Sequence, residues 1–257
     1  MNEADLLAAF DLPSNCRVDQ RVPKKLFVEN GAPTAADKRR INDGVEEIQW
    51  VAALKPNTIG VPEYRDDVRE YLEIALLNVT LRPDAKAARL AELVHRAVPY
   101  PVVLVMVQSS DLKLSLAHKR WSQGEADKTV LDGDLIMVDL NEPLNVGFVR
   151  QFLQALPLAR HPRSSLYALY QSWFDTLIAL NTTRLTGQFA TSCTPKQSAA
   201  RLAALQLCRD IDSKITSLNA AASKEKQMSR QVSINLEIKE LQAERELIVA
   251  DLSGRDY

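Results

Sequence analysis

The chain has 257 residues, of which 46% are hydrophobic, so it is long and apolar enough to bury the core of one large or two modest domains. Its 32 lysines and arginines nearly balance 33 aspartates and glutamates, which gives a formal net charge of −1. The overall charge therefore does not require nucleic acid or an anionic membrane as a partner.

The three cysteines, Cys16, Cys193 and Cys208, are scattered singly along the chain. None belongs to a C-x-x-C pair, so we expect neither a disulfide framework nor a zinc knuckle, and we predict a reducing, cytoplasmic location. The first ten residues lack the basic start and apolar run of a signal peptide. Because no run of about 18 apolar residues occurs, we expect no membrane span and no membrane partner.

The first long predicted element is a helix that Thr34 caps and that runs to about Leu54. Ile41, Val45 and Ile48 recur at three- and four-residue spacing, which is typical of one apolar helix face.

The middle of the chain predicts a small sheet with one packing helix. Residues 71–81 are apolar with a β-branched end, typical of a buried strand, and residues 85–97 have helical spacing. The run VVLVMV at 102–107 predicts a central strand that is buried on both faces. Two further strands are predicted within 112–116 and 135–140.

From Val146 onward the pattern is helical. A helix capped by Ser164 or Ser165 is predicted to end near Gly187. The segment 190–195 has no periodicity and is the predicted linker to the last part of the chain.

The most informative pattern is a pair of apolar seams in the last quarter, separated by one polar break. The first seam contains Ala204, Cys208, Ile211, Ile215, Leu218 and Ala222, and the second contains Ile234, Ile238, Leu241, Arg245, Ile248 and Leu252. Steps of three and four place each seam along one narrow helix stripe, which predicts a coiled-coil hairpin that holds another helix or chain. Arg245 on the seam requires an acidic partner or an exposed edge. The predicted partner-binding residues are Ile234, Ile238, Leu241, Arg245 and Ile248.

These patterns predict an α+β (or α/β) fold, in which a small mixed sheet with packing helices precedes a helical region that ends in an antiparallel coiled-coil hairpin. The predicted domains are an α/β sheet domain at 1–145, a helical extension at 146–194 and the hairpin at 195–257. Whether the hairpin closes on itself, pairs with a second copy or grips another protein stays open.

The sequence carries no sharp sign of chemistry. His95, His118 and His161 lie far apart, and no H-E-x-x-H pair, G-x-S-x-G elbow or glycine-rich phosphate loop occurs. We therefore predict no catalytic residue, no metal ligand and no cofactor, and we favour a non-catalytic role while leaving catalysis open.

One enzyme alternative remains at this point. A nuclease of the restriction type needs two acidic residues and a lysine at a strand end, so that metal-bound water meets the phosphate. Glu73, Asp111 and Lys113 have the residue types that such a set requires.

Two basic clusters are candidates for contacts with nucleic-acid phosphates. Their members are Arg21, Lys24 and Lys25 near the start, and Lys224, Lys226 and Arg230 at the break between the two seams. Neither cluster carries the interleaved aromatic residues of a single-strand platform, and a solvated surface is the simpler interpretation.

Three segments carry a resemblance to a known family. They are VPKKLF at 22–27, AVPYPVV at 97–103 and KEKQMSRQVSIN at 224–235. They resemble, in order, the I-P-K-x-x-F, A-I-P-Y-P-I-I and K-E-K-Q-F-N-R-K-V-E-L-N motifs of the bacterial family described as domain of unknown function 4391. The family's alternating acidic strand is largely missing here, since only Glu73 is kept.

The resemblance implies a place beside DNA methyltransferases and helicases in restriction-modification and phage-defence clusters. The expected function is an accessory, non-catalytic subunit that binds such partner proteins through the hairpin; DNA contact and homo-oligomers stay open. For the motif at the break, we expect Gln227, Arg230 and Asn235 to bond to backbone groups, with Met228 and Val232 packed across the turn.

Overall fold

A computed structural model describes residues 1–125, 128–141, 146–192 and 194–254. These residues form a mixed α+β fold with a six-stranded sheet and long carboxy-terminal helices, which confirms the predicted fold class. Cys193 lies outside the described residues. In the described part of the chain, no helix combines the length and the apolar character that a membrane crossing requires.

The chain divides into two compact units, Met1–Leu177 and Ile178–Tyr257. The sequence predicted three domains, at 1–145, 146–194 and 195–257. These boundaries differ from those of the two compact units, and the three-domain division stays a prediction.

All strands found among the described residues lie in the first unit. They are β1 (Arg17–Arg21), β2 (Val45–Leu54), β3 (Tyr64–Arg65), β4 (Glu70–Tyr71), β5 (Ile74–Leu81), β6 (Val102–Gln108), β7 (Asp111–Leu116), β8 (Lys119–Trp121), β9 (Thr129–Leu131) and β10 (Ile136–Asp139). The main sheet has the order β1–β2–β5–β6–β7–β10, while β3–β4 and β8–β9 form two short ribbons.

The helices are, in chain order, α1 (Glu3–Ala9), α2 (Lys24–Gly31), α3 (Ala35–Gly44), α4 (Pro56–Ile59), α5 (Ala87–Ala97), α6 (Val146–Ala155), α7 (Leu166–Thr186), α8 (Pro195–Ala222) and α9 (Met228–Gly254). Short 3₁₀ turns occur at Ser14–Cys16 and Leu158–Arg160. As predicted, Ser165 accepts a backbone hydrogen bond near the start of α7. Helix α8 begins at Pro195, the last residue of the predicted linker.

Strands β5 and β6 are the centre of the sheet, with α5 as the crossover between them. They run parallel, whereas the other strand pairs in the described part of this sheet are antiparallel. Every residue of β5 except Thr80 is buried, and so are the first five residues of β6. A long apolar run with no alternation is the expected sequence of a strand that is covered on both faces. The predicted central strand is confirmed.

Helices cover both faces of this sheet. On one face, Phe27 of α2, Ile41 of α3 and Leu90 of α5 belong to one buried cluster with Leu77 of β5. The next residue of β5, Asn78, points the other way, because side chains alternate along a strand, and it donates to Glu3 of α1. On that second face the ring of Phe10, which follows α1, meets Trp173 of α7 edge-on.

The predicted helix over 34–54 is wrong in its second half. The helix that Thr34 caps ends at Gly44, and residues Val45–Leu54 form strand β2. Strand β2 shifts register twice against β5, and these bulges break the two-residue alternation. Buried Val45, Ile48 and Val51 therefore recur every three residues and imitate a helix.

The second unit contains the two longest helices, α8 and α9. Gln231 near the start of α9 donates to the carbonyl of Ala222 at the end of α8, and Arg245 farther along α9 contacts Asp212 one-third of the way back along α8. Residue numbers rise along one helix as they fall along the other. The two helices therefore form an antiparallel hairpin that closes on itself.

Candidate interaction site

The residues predicted to bind a partner lie along the seam of this hairpin. Ile238 is buried, and the others are half-buried: Ile234, Leu241, Arg245 and Ile248. Arg245 Nε donates to Asp212 Oδ1 over 2.7 Å, which places this stripe against α8 of the same chain. Burial raises the pKa of the Cys208 thiol on the facing side of the seam. The binding of another protein by these five residues stays a prediction.

Helix α9 carries a second apolar stripe that the sequence pattern does not single out. Met228, Val232, Leu236 and Leu247 have exposed fractions of 78%, 53%, 57% and 72%. The first three are four residues apart, and Leu247 follows Leu236 by eleven residues, or about three helical turns. At about 100° per residue, this stripe points about 180° away from the seam around Ile238. We call these four residues the outer stripe.

The turn between α8 and α9 is basic and exposed. Lys224, Lys226 and Arg230 are all exposed, with Glu225 between the two lysines. Backbone N–H groups of Lys224 and Glu225 donate to the carbonyl of Ala221 in this turn, and the side chain of Gln231 donates to the carbonyl of Ala222.

Three residues of the third family motif make other contacts than expected. Met228 and Val232 lie on the surface rather than packing across the turn. Gln227 contributes its backbone N–H, which donates to the Glu225 carboxylate over 2.8 Å. Most of this motif faces solvent, so turn formation alone does not explain its residue types.

The basic residues near the start of the chain are engaged locally. Arg21 forms an ion pair with Glu47 at 3.4 Å, and Lys25 pairs with Glu29 at 3.6 Å. Lys24 Nζ donates to the carbonyl of Val45 over 2.6 Å. Of these three contacts, the one made by Lys24 connects α2 to β2. The side chains of Arg21 and Lys25 stay 72% and 81% exposed, so their charge faces solvent.

The nuclease set is not brought together. Glu73 precedes β5 and forms an ion pair with Lys55 at 3.2 Å. Asp111 begins β7 opposite Gln108, which pairs with Leu81 at the far end of β5. Eight residues of strand, on the order of 25 Å, separate the two carboxylates along the sheet. They cannot share a metal ion.

The other two family motifs meet at an apolar cavity of about 230 Å³. It lies between α2, the end of α5 and the sheet, and it is lined by Val22, Leu26, Phe27, Asn30, Trp50, Ala75, Leu77, Ala97, Val98, Pro99 and Tyr100. Convergence of 22–27 and 97–103 at one place explains the residues of both motifs that line this cavity, Pro99 included, as packing around it.

A buried lysine closes α5. Lys119 is 1% exposed, and its Nζ donates to the carbonyls of His95 and Val98 at the carboxyl end of that helix. Helix ends leave such carbonyls without intrahelical partners, so the ammonium satisfies them. Burial, with a smaller effect of Arg96, lowers the pKa of Lys119 to about 7.

A polar cluster of the first unit surrounds His118. Its Nδ1 is hydrogen-bonded to the Tyr71 hydroxyl at 2.7 Å, and the nearby Arg69 pairs with Asp132 and lies over the ring of Tyr167. Burial lowers the pKa of His118 to about 4, so its imidazole is neutral near pH 7. The cluster is thus a hydrogen-bonded core that joins the short ribbons to α7. Within the ranges described, no group of histidine, cysteine and carboxylate side chains is arranged to hold a metal ion.

The family model described as Domain of unknown function (DUF4391) matches residues 10–244. The chain belongs to this family. All three motifs, at 22–27, 97–103 and 224–235, lie inside the matched region. No curated protein and no solved structure shows significant similarity to the chain.

Proposed function

We propose that this member of DUF4391 is an accessory interaction subunit of a bacterial DNA-modification or phage-defence assembly. In this proposal the protein acts in the cytoplasm, α8 and α9 pack as a coiled coil, and the hairpin binds partner proteins such as a DNA methyltransferase or a helicase. The sheet unit serves as the folded base of the subunit, without a catalytic role.

The observation that supports this proposal most directly is the outer stripe. Large apolar side chains that share one exposed helix face are typical of a protein interface. Two of them, Met228 and Val232, belong to the third family motif, which also holds exposed Lys226 and Arg230. The motif therefore offers apolar and charged groups to a partner.

A tagged pull-down from the native cell, read by mass spectrometry after a nuclease wash, tests the proposal. The variant Leu236→Glu with Leu247→Glu keeps good helix formers but places charge on the outer stripe. The matched control is Leu207→Glu on α8, because Leu207 is also an exposed apolar residue, at 43%.

We expect the unmodified chain and the Leu207→Glu control to recover a methyltransferase or helicase at comparable amounts. The double stripe variant is expected to lose most of that partner. Recovery of the chain alone in every case would contradict the accessory role.

The seam requires a separate variant. Ile238 is 7% exposed, so Ile238→Glu with Leu241→Glu places charge inside the hairpin and should open it. We expect a loss of helical circular dichroism at 222 nm together with loss of the partner, whereas the stripe variant keeps its helical signal.

A second candidate function is contact with a DNA backbone at the hairpin turn, where Lys224, Lys226 and Arg230 are exposed. Each neutralised phosphate releases counterions, so binding of this kind falls steeply with salt. Fluorescence anisotropy with a duplex is the measurement, and changing all three residues to alanine should abolish the salt-dependent binding. Binding that is equal for both proteins would exclude the turn as the contact.

A further inference from the structure

We infer that the outer stripe of α9 pairs antiparallel with α9 of a second copy of this chain, so that the subunit is a two-fold dimer. The inference rests on the proposed role of this face as an interface. It makes a second copy the occupant of the outer stripe, and the partner protein then binds the dimer that this contact forms.

The distribution of apolar residues places α9 between two helices. A helix with one apolar stripe has one neighbour, and α9 has two stripes on opposite sides. The seam around Ile238 faces α8, and the outer stripe extends from Met228 to Leu247, a length of about 28 Å at 1.5 Å per residue. A straight helix of similar length fits the second side.

The charge along the hairpin selects the direction of that helix. The turn segment 224–230 has three cations and one carboxylate, so it is positive. The segment 237–251 has five carboxylates and two cations, so it is negative, and one of those cations, Arg245, is paired with Asp212. A parallel pair would bring like charges together at both ends. An antiparallel pair places each positive turn beside the negative end of its partner.

A second copy of α9 meets these requirements. Two-fold symmetry makes the interface self-complementary, and the contact closes at two chains. In the antiparallel arrangement, the amino-terminal half of the stripe, with Val232 and Leu236, covers the partner's carboxy-terminal half. That half contains exposed Ala243 between Leu236 and Leu247. The small side chain of Ala243 leaves room for the larger side chains of Val232 and Leu236 from the other copy.

The mass of the purified chain tests the inference directly. Light scattering coupled to size exclusion, over a range of micromolar concentrations at low salt, should give twice the monomer mass at the upper end. Leu236→Glu with Leu247→Glu should give the monomer mass with unchanged circular dichroism at 222 nm. Leu207→Glu should remain a dimer.

Charge reversal gives an independent test. We expect Lys224→Glu with Lys226→Glu to be monomeric, and Glu244→Lys with Glu246→Lys to be monomeric as well. Mixing the two variants should restore a dimer, because each positive segment again meets a negative one.

A monomeric unmodified chain at high micromolar concentration would overturn the inference, and so would a stripe variant that stays dimeric. Neither result decides the proposed function, since the pull-down reports on a different protein. A monomer that still recovers its partner through the outer stripe would leave that function standing and remove only the dimer.

Discussion

Arg245 of α9 donates from Nε to Asp212 Oδ1 of α8 over 2.7 Å, at the seam of the hairpin. The sequence required an acidic partner or an exposed edge for this arginine, and the structure provides both. The side chains are 32% and 52% exposed, so water screens the pair. The contact therefore sets the register of the two helices more than it stabilises them.

The first prediction concerns this pair. Because half-exposed ion pairs contribute about 0.2–1 kcal/mol, Asp212→Asn should lower the free energy of unfolding by less than about 1 kcal/mol in a urea titration followed at 222 nm. Arg245→Leu removes a charge from an apolar seam and should be neutral or slightly stabilising. A loss of several kcal/mol in either variant would show that the pair is a main determinant of the hairpin.

The second prediction concerns Lys119. Replacing it by methionine keeps the apolar stem but leaves the carbonyls of His95 and Val98 without their donor. Unsatisfied buried groups cost about 1–3 kcal/mol each, so Lys119→Met should lower the free energy of unfolding by about 2–4 kcal/mol. Lys128→Met is the control, because Lys128 pairs with Glu125 on the surface, and it should change stability by less than about 0.5 kcal/mol. Equal effects in the two variants would contradict the role of Lys119.

The sequence was enough to predict those strands and helices whose buried residues follow from the residue spacing within the element itself. The run at 102–107 is a central strand, and the three- and four-residue steps from Cys208 to Leu252 form the closed seam. In both cases burial follows directly from local spacing.

Features that depend on distant contacts could not be predicted. The bulges of β2 arise from its pairing with β5, and they conceal the strand period of Val45–Leu54. From the sequence, Lys119 is expected on the surface, because lysine is rarely buried. Its burial depends on carbonyls at the end of α5, which only the fold brings near it. The outer stripe is sparse, with Leu236 and Leu247 eleven residues apart, and it becomes evident only when exposure is known.

The third prediction concerns the close approach of α2 to α5. A Cβ on Gly31 would lie 2.5 Å from the carbonyl oxygen of Leu93 and 2.7 Å from the Cβ of Ala97. Gly31→Ala should therefore force the helices apart and lower the free energy of unfolding by about 1–3 kcal/mol. Gly124→Ala is the matched control, because nothing lies within 4 Å of a Cβ there, and it should leave stability within about 0.5 kcal/mol. An unchanged Gly31→Ala protein would show that the two helices can separate freely.

The last prediction concerns acid stability. Burial lowers the pKa of His95 to about 3, and those of His118 and His161 to about 4. An unfolded histidine takes up a proton near pH 6.5, while these three stay neutral in the folded protein down to pH 3–4. Their contribution to stability is therefore fully present above pH 6.5 and is lost as the pH falls from 6.5 toward 4.

Near pH 5 unfolding should take up about three protons at these histidines, so the free energy of unfolding should fall by about 4 kcal/mol per pH unit. The measurement is a set of urea titrations between pH 7 and 4.5. His161→Gln keeps a polar group beside Ser172, whose hydroxyl lies 2.8 Å from Nδ1 of His161, and removes one titrating site. Its slope should be smaller by about 1.4 kcal/mol per pH unit, the value for one proton, because carboxylates titrate equally in both proteins and cancel in the difference. An unchanged slope would mean that His161 binds its proton equally in the folded and unfolded chains, and that the acid sensitivity arises elsewhere.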